Sequence, residues 1–189
     1  MSVPNTHEAS ALHADAVRVL STWRPPSPGQ ATLRQDYLDH LAARPDGVWR
    51  ACTPAHVTAS MVVVDPTADH VLLVLHGRIH KWLQPGGHCE EGDASLAAAA
   101  AREALEETGL ADLRVSEQPL RLDRHGAPCH AETHLDVQYL GTVPYGAVPV
   151  VSAESADVRW FGVGELPDEL ASGVVDSVAA ARRAVSALT

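Results

Sequence analysis

Three glutamates stand close together near the middle of the chain, in the segment REALEETGL at residues 102–110. On a helix, Glu103 lies three and four residues before Glu106 and Glu107, so the three carboxylates converge on one face. Like charges repel one another, and the negative end of the helix dipole makes them still less favourable there. A divalent cation would turn this repulsion into binding, and hard carboxylate oxygens suit Mg²⁺ or Mn²⁺. The pattern predicts a metal site, with a solvated acidic helix face as the alternative.

The elements around this segment support a positioned site. An alanine-rich run at 94–108 predicts a helix, with Asp93 or Ser95 as its N-cap and Gly109 just beyond its C-terminus. The pair Gly86-Gly87 precedes that helix in a loop that follows a short apolar piece, KWLQ. The carboxylates would therefore lie at the far end of a helix entered from a glycine-rich loop.

This region resembles the Nudix box, in which a glycine precedes a glutamate by six positions and the segment closes with R-E-U-x-E-E-x-G-U, where U is bulky and apolar. The matching residues are Gly87, Arg102, Glu103, Glu106, Glu107, Gly109 and Leu110. Three features depart from the pattern. Asp93 stands where the first glutamate is expected, and eight residues rather than seven separate it from Arg102. Ala104 is also a small occupant of the first apolar position.

The resemblance implies a Nudix-like α/β/α sandwich and a Mg²⁺- or Mn²⁺-dependent hydrolase that cleaves a diphosphate linkage in a nucleoside diphosphate derivative or related small molecule. By position, the implied metal ligands are Glu103, Glu106, Glu107 and a backbone carbonyl of the glycine pair, assigned to Gly87. Glu103 and Glu106 would be catalytic, and Arg102 would orient a glutamate. The general base would be a box glutamate or a carboxylate from a later loop. Glu154 is one candidate for the latter, with an ordinary surface residue as the alternative interpretation. The role of Asp93 stays open.

The remaining sequence predicts an α+β fold with a mixed sheet. Apolar residues at helical spacing predict helices at 9–23 and about 30–43, and a helical pattern returns from 174. Two short helices cannot bury a core alone, so residues 1–50 are interpreted as a helical N-terminal extension of a Nudix-like domain at 51–189. Strand-like segments, of which the first two form a predicted hairpin, occur at 56–65, 70–76, 112–123, 132–143 and 157–161.

One predicted strand, HAETHLDVQYL at 130–140, alternates between an apolar and a polar face. The polar face carries His130, Glu132, His134, Asp136 and Gln138. A solvent-facing side of an antiparallel sheet is one interpretation. The other is that this face lines the substrate cleft. In that case His134 and Asp136 contribute to substrate binding or water activation, and His130 and Glu132 lie nearer the cleft mouth.

Composition limits the partners. The 189 residues include 14 Lys and Arg against 24 Asp and Glu, a formal net charge of −10. This acidity disfavours nucleic acid and anionic membranes, and no apolar run is long enough to span a bilayer. With a polar N-terminus and three scattered cysteines, the expectation is a cytoplasmic protein that binds a small diphosphate, with a homodimer left open. A zinc site among the eleven histidines ranks last, since their spacing is not paired.

Two further functions compete with hydrolysis. A Nudix-like module that senses a nucleotide without cleaving it would typically lose box carboxylates, whereas all three are present here. The isomerase branch that shares the fold needs its own cysteine and metal-binding histidines, and the sequence alone does not place them. The identity of the diphosphate substrate stays open.

Overall fold

The computed structural model describes residues 10–127, 129–144, 146–152 and 155–188. Over these residues it contains four α-helices and eight β-strands. The helices are α1 (Ala11–Thr22), α2 (Pro28–Ala43), α3 (Leu96–Thr108) and α4 (Val174–Ser186). The strands are β1 (Ala55–Val64), β2 (His70–His76), β3 (Trp82–Leu83), β4 (Gly86–His88), β5 (Arg114–Val115), β6 (Arg121–Gly126), β7 (Thr133–Thr142) and β8 (Ser155–Gly162). None of the described helices combines the length and the apolar character that crossing a bilayer requires.

Serine side chains set the starts of three helices. Ser10, Ser27 and Ser95 each accept a hydrogen bond from a backbone N–H in the first turn of α1, α2 and α3. Helix α3 therefore begins at Leu96, two residues later than the predicted start, because Ser95 is its N-cap. It is terminated by Gly109, which takes the left-handed conformation with φ 69° that favours glycine.

The eight strands form one mixed sheet. Strands β1 and β7 pair in parallel over all ten residues of each, and the other pairings are antiparallel. The predicted hairpin is present, but β1 and β2 pair only at Val63–Leu72 and Val64–Val71. Away from that end the two strands separate, with β4 along β1 and β3 along β2. The sheet therefore opens where β4 enters it.

Different helices pack on the two faces of the sheet. Alternate residues of β1 and β7, including Val57, Met61, Leu135 and Val137, pack into a core with α1, α2 and α3. On the opposite face, Val62, Val64 and Leu140 pack against α4. The predicted α+β class and α/β/α sandwich with a mixed sheet are confirmed. Helix α4 covers only part of its face, and polar side chains occupy the remainder.

The N-terminal helices are attached to an edge of this sheet. The side chain of Gln30 donates to the carbonyl of Leu122 (2.9 Å) and accepts from its N–H (2.7 Å), which continues the sheet pattern beyond β6. The hydroxyl of Tyr37 donates to the carbonyl of Asp123 at 2.6 Å. Buried residues of α1 and α2 belong to the same apolar cluster as α3. The division of the chain into 1–50 and 51–189 stays a prediction.

Three details differ from the sequence-based expectation. The stretch at 112–123 forms two strands, β5 and β6, because each pairs separately with β7. The residues Gly86–His88 form strand β4, which glycine-rich composition did not indicate. Strand β7 begins at Thr133, so His130 and Glu132 lie outside it.

We expect Gln30→Ala to lower the free energy of unfolding by about 1–3 kcal/mol, because both backbone groups of Leu122 lose their partner. Urea denaturation followed by circular dichroism measures the change. Gln35→Ala is the matched control, since Gln35 is exposed on the same helix and donates to Asp39 within that helix. Equal stabilities of the two variants would show that Gln30 does not hold α2 to the sheet edge.

Candidate functional site

A cavity of about 910 Å³ opens on the face of the sheet that α4 leaves uncovered. Its floor comes from matched positions on adjacent strands. Thr58 of β1 lies opposite His88 of β4 and Asp136 of β7, and Ser60 lies opposite Gly86 and Gln138. The C-terminal end of α3 forms one wall. Strand register thus brings residues that are distant in sequence into a single polar surface.

Two of the three glutamates of α3, Glu103 and Glu107, meet the glycine strand β4 at this wall. Glu107 accepts a hydrogen bond from the backbone N–H of Gly86 at 3.0 Å. The carboxylate of Glu103 packs so closely on Gly87 that a Cβ there would lie 2.7 Å from Oε1. Glu106 is more accessible, with 56% of its side chain exposed. All three line the cavity, as does Gly87, and we call the three side chains the carboxylate group.

Arg102 organises the carboxylate group from behind. Its guanidinium donates to Glu103 and Glu106, each at 3.0 Å, and to the carbonyl of His88 at 2.9 Å. It also forms a two-pronged ion pair with Asp93, at 3.0 and 3.1 Å. The hydrogen bonds that Arg102 donates to Asp93 raise the pKa of its guanidinium above the usual value.

The ion pair with Arg102 also determines the ionisation state of Asp93. Burial alone would raise the pKa of this carboxyl, but hydrogen bonds from Arg102 and the N–H of Glu90 hold it below its usual range. Asp93 is therefore an ionised partner of Arg102. This answers the question that the eight-residue spacing left open.

The polar face of β7 is buried, so its interpretation as a solvent-facing side of the sheet is wrong. His134, Asp136 and Gln138 are only 7%, 3% and 1% exposed. Asp136 accepts hydrogen bonds from Thr58 (3.0 Å), Ser60 (2.6 Å) and Gln138 (3.0 Å). His134 and Asp136 line the cavity, whereas the exposed His130 and Glu132 do not. Glu154, the other candidate, lies outside the described residues.

A second cluster, which the sequence analysis missed, lies at the starts of β1 and β7. His56, His88, Cys129 and His134 each present a ligand-type atom, and these atoms all lie within 4.8 Å of one another. The imidazole rings of the three histidines are 5.0–5.1 Å apart, centre to centre. Burial lowers the pKa of His56, that of His88 to about 4 and that of His134 to about 3. We call these four residues the histidine cluster.

One sequence feature could have indicated part of this cluster. His56, Thr58 and Ser60 alternate along β1 as His134, Asp136 and Gln138 do along β7. Two polar alternations of equal period indicate neighbouring strands that share a polar face. The register that sets His56 opposite His134 follows only from the parallel pairing of the strands.

The cysteine within the box region is structural. Cys89 is 5% exposed, and burial raises its pKa to about 12. It therefore behaves as a small buried apolar residue, and its thiol belongs to neither the carboxylate group nor the histidine cluster.

Solved structures share this fold. A NUDIX-family hydrolase from Clostridium perfringens is 23% identical, with a TM-score of 0.55 over 71% of this chain and 98% of its own. An Ap4A hydrolase from C. elegans is 17% identical, with a TM-score of 0.58 over 69% and 98%. The NUDIX domain of Shewanella oneidensis NrtR, solved with ADP ribose, is 21% identical, with a TM-score of 0.58 over 78% and 97%. At these identities the likeness establishes the fold alone.

The sequence itself decides the family. No functionally curated protein matches it. The family model of the NUDIX domain matches residues 54–183, which is more than half of the chain and includes every box residue of α3. The chain therefore belongs to the NUDIX domain family.

Proposed function

We propose that this Nudix pyrophosphohydrolase uses Mg²⁺ or Mn²⁺, held by Glu103, Glu106, Glu107 and the carbonyl of Gly87, to cleave a small nucleoside diphosphate derivative. The observation that carries the proposal is the meeting of the α3 carboxylates with the backbone of β4 inside the cavity. Oxygen ligands of this kind suit a hard divalent cation.

The packing and the exposure of the carboxylate group are compatible with a bound divalent cation. Glycine at position 87 leaves room for the carboxylate of Glu103 directly against the main chain, where any side chain would displace it. Glu106 extends toward solvent, so the carboxylate group remains accessible from the cavity. When bound, the cation would neutralise charge on the phosphate oxygens and lower the pKa of a bound water.

The other site residues would position the carboxylate group and the substrate. Arg102 holds Glu103 and Glu106 in fixed orientations, and Asp93 holds Arg102. Glu103 and Glu106 are our proposed catalytic carboxylates. Asp136 is already engaged by two hydroxyls and an amide, so we propose that it and His134 shape the floor under the substrate. Glu154 stays a proposed substrate residue on sequence grounds.

The class of substrate follows from the net charge and the cavity. An acidic protein binds a polyanion most readily through an intervening cation, and a volume of about 910 Å³ accommodates a nucleotide-sized ligand. Of two proteins of the same fold, one is described as an Ap4A hydrolase and the other was solved with ADP ribose. Exclusion of nucleic acid and membranes, a cytoplasmic location and a homodimer remain predictions from sequence.

A second function is favoured by the histidine cluster. The isomerase branch requires a cysteine and metal-binding histidines, and the histidine cluster contains both residue types. The complete set of box carboxylates favours hydrolysis. A panel of diphosphates with Mg²⁺ separates the two: release of monophosphates supports hydrolysis, and conversion of an isoprenoid diphosphate without phosphate release supports isomerisation.

We expect Glu106→Gln and Glu107→Gln each to lower kcat/KM by about 100-fold or more, because each removes one charge that would hold the cation. The amide oxygen that replaces the Glu107 carboxylate can still accept from the N–H of Gly86, so the fold should remain. Steady-state kinetics at saturating Mg²⁺, on the best substrate of the panel, measure the effect. Glu117→Gln, an exposed residue of the β5–β6 connection, is the charge-matched control and should retain parental kcat/KM. Retention of activity by both site variants would contradict the metal assignment.

We also expect Mg²⁺ to raise the melting temperature, because a ligand that binds only the folded state stabilises it by mass action. At 100 times the dissociation constant this amounts to about 2.7 kcal/mol. Differential scanning calorimetry with and without Mg²⁺, at constant ionic strength, measures the shift. The triple variant Glu103→Gln, Glu106→Gln, Glu107→Gln should lose it. An unchanged shift in that variant would place the cation elsewhere.

A further inference from the structure

We propose that the histidine cluster, formed by His56, His88, Cys129 and His134, binds one zinc ion in a four-coordinate site separate from the carboxylate group. The four residues come from β1, β4, β7 and the loop that precedes β7. The site shares His134 with the proposed substrate floor, but zinc binding does not require the hydrolase activity proposed above.

The distances from Cys129 to two of the histidines fit a tetrahedral ion. All four ligand-type atoms lie within 4.8 Å of one another. Sγ of Cys129 is 3.4 Å from Nε2 of His134 and 3.9 Å from Nε2 of His56. Zinc bonds of about 2.3 Å to sulfur and about 2.0–2.1 Å to nitrogen place tetrahedral S and N ligands about 3.6 Å apart. The two measured separations bracket that value.

His56 is held in the tautomer that a metal requires. Its Nδ1 lies 3.0 Å from the carbonyl oxygen of Cys52, and the ring is fully buried. A carbonyl oxygen can only accept, so Nδ1 carries the hydrogen and Nε2 presents a lone pair. Nε2 is the atom that approaches Cys129. A backbone carbonyl that orients a histidine from behind is the usual support of a zinc ligand.

His88 supplies an independent observation that points to a ligand. Its Nε2 is buried and has no hydrogen-bond partner among the described residues. The residue is fixed on β4 by its pairing with Thr58, so the ring is held in the sheet rather than on a loop. A buried polar atom without a partner costs free energy, and such atoms are uncommon. A bound ion in the cluster would account for the position of this imidazole.

The chemistry of the four ligand atoms indicates which class of metal ion the site would bind. Three imidazole nitrogens and one thiolate suit zinc, whereas Mg²⁺ and Mn²⁺ prefer oxygen. Four protein ligands close the coordination shell, which is typical of a structural site rather than a catalytic one. Binding would release the Cys129 thiol proton to solvent. The ion would join β1, β4 and β7 at one end of the cavity.

The test is a cobalt titration of the full chain without a histidine tag, after removal of metals with a chelator and dialysis. Co²⁺ reports tetrahedral geometry by intense visible bands and sulfur ligation by a thiolate-to-metal charge-transfer band. We expect the first equivalent of Co²⁺ to give both signatures and to be displaced by one equivalent of Zn²⁺, whereas Co²⁺ at the carboxylate group would add only weak octahedral bands. Octahedral bands without tetrahedral ones, or the absence of a charge-transfer band, would overturn the proposal.

Paired variants locate the site. Cys129→Ala should abolish the charge-transfer band, and Cys89→Ala, which removes the buried thiol next to His88 in the chain, should keep it. His88→Gln should weaken zinc binding by more than the roughly 10- to 100-fold that loss of a supporting hydrogen bond costs a metal site. Competition with a chromogenic chelator measures this affinity, and circular dichroism verifies that each variant is folded.

The triple glutamine variant of Glu103, Glu106 and Glu107 separates the two proposed metal sites. We expect it to bind Co²⁺ with an unchanged spectrum, even though its activity is lost. If that variant loses the cobalt signal, the metal belongs to the carboxylates and the proposed zinc site is wrong. The same conclusion follows if Cys129→Ala and Cys89→Ala give identical titrations.

Discussion

The close approach of strand β4 to its neighbours is the constraint on which the site depends. A Cβ on Gly86 would lie 2.3 Å from the Cβ of Ser60, and one on Gly87 would lie 2.7 Å from the carboxylate of Glu103. Neither side chain can exist in this arrangement. Glycine at both positions lets β4 lie directly on β1 while the last turn of α3 reaches the exposed main chain. The position of the next residue, His88, is then fixed by the same strand pairing.

Two chemically different groups of ligands therefore meet at one cavity, which is lined by all three carboxylates and by His88 and His134 of the histidine cluster. On the α3 side, carboxylates and a backbone carbonyl form a hard, negative group whose mutual repulsion is partly offset by Arg102. On the other side, three histidines, of which His56 and His134 are buried, and a cysteine form a softer group of nitrogen and sulfur ligands. Between them, Asp136 accepts hydrogen bonds from Thr58, Ser60 and Gln138. The separation of oxygen from nitrogen and sulfur ligands would allow each group to select its own cation.

Local features of the chain were predictable from the sequence, and long-range ones were not. Helix α3, its cap and the spacing of Glu103 and Glu107 depend on neighbours along the chain, so residue types and period sufficed. The box pattern around Arg102 also indicated the family. The histidine cluster depends on the parallel register of β1 with β7, which sets residues 78 positions apart opposite each other, as in His56 and His134. No local spacing encodes that pairing, which explains the low rank given to a zinc site.

The most direct test of two distinct metal sites is anomalous X-ray diffraction from crystals grown with both Mn²⁺ and Zn²⁺. Data collected above and below the zinc absorption edge distinguish the two metals by position. We expect a zinc peak among His56, His88, Cys129 and His134 that disappears below the edge. A manganese peak beside Glu103, Glu106, Glu107 and the carbonyl of Gly87 should persist at both energies. A single peak shared by both metals, or manganese in the histidine cluster, would contradict the division of the cavity into two sites.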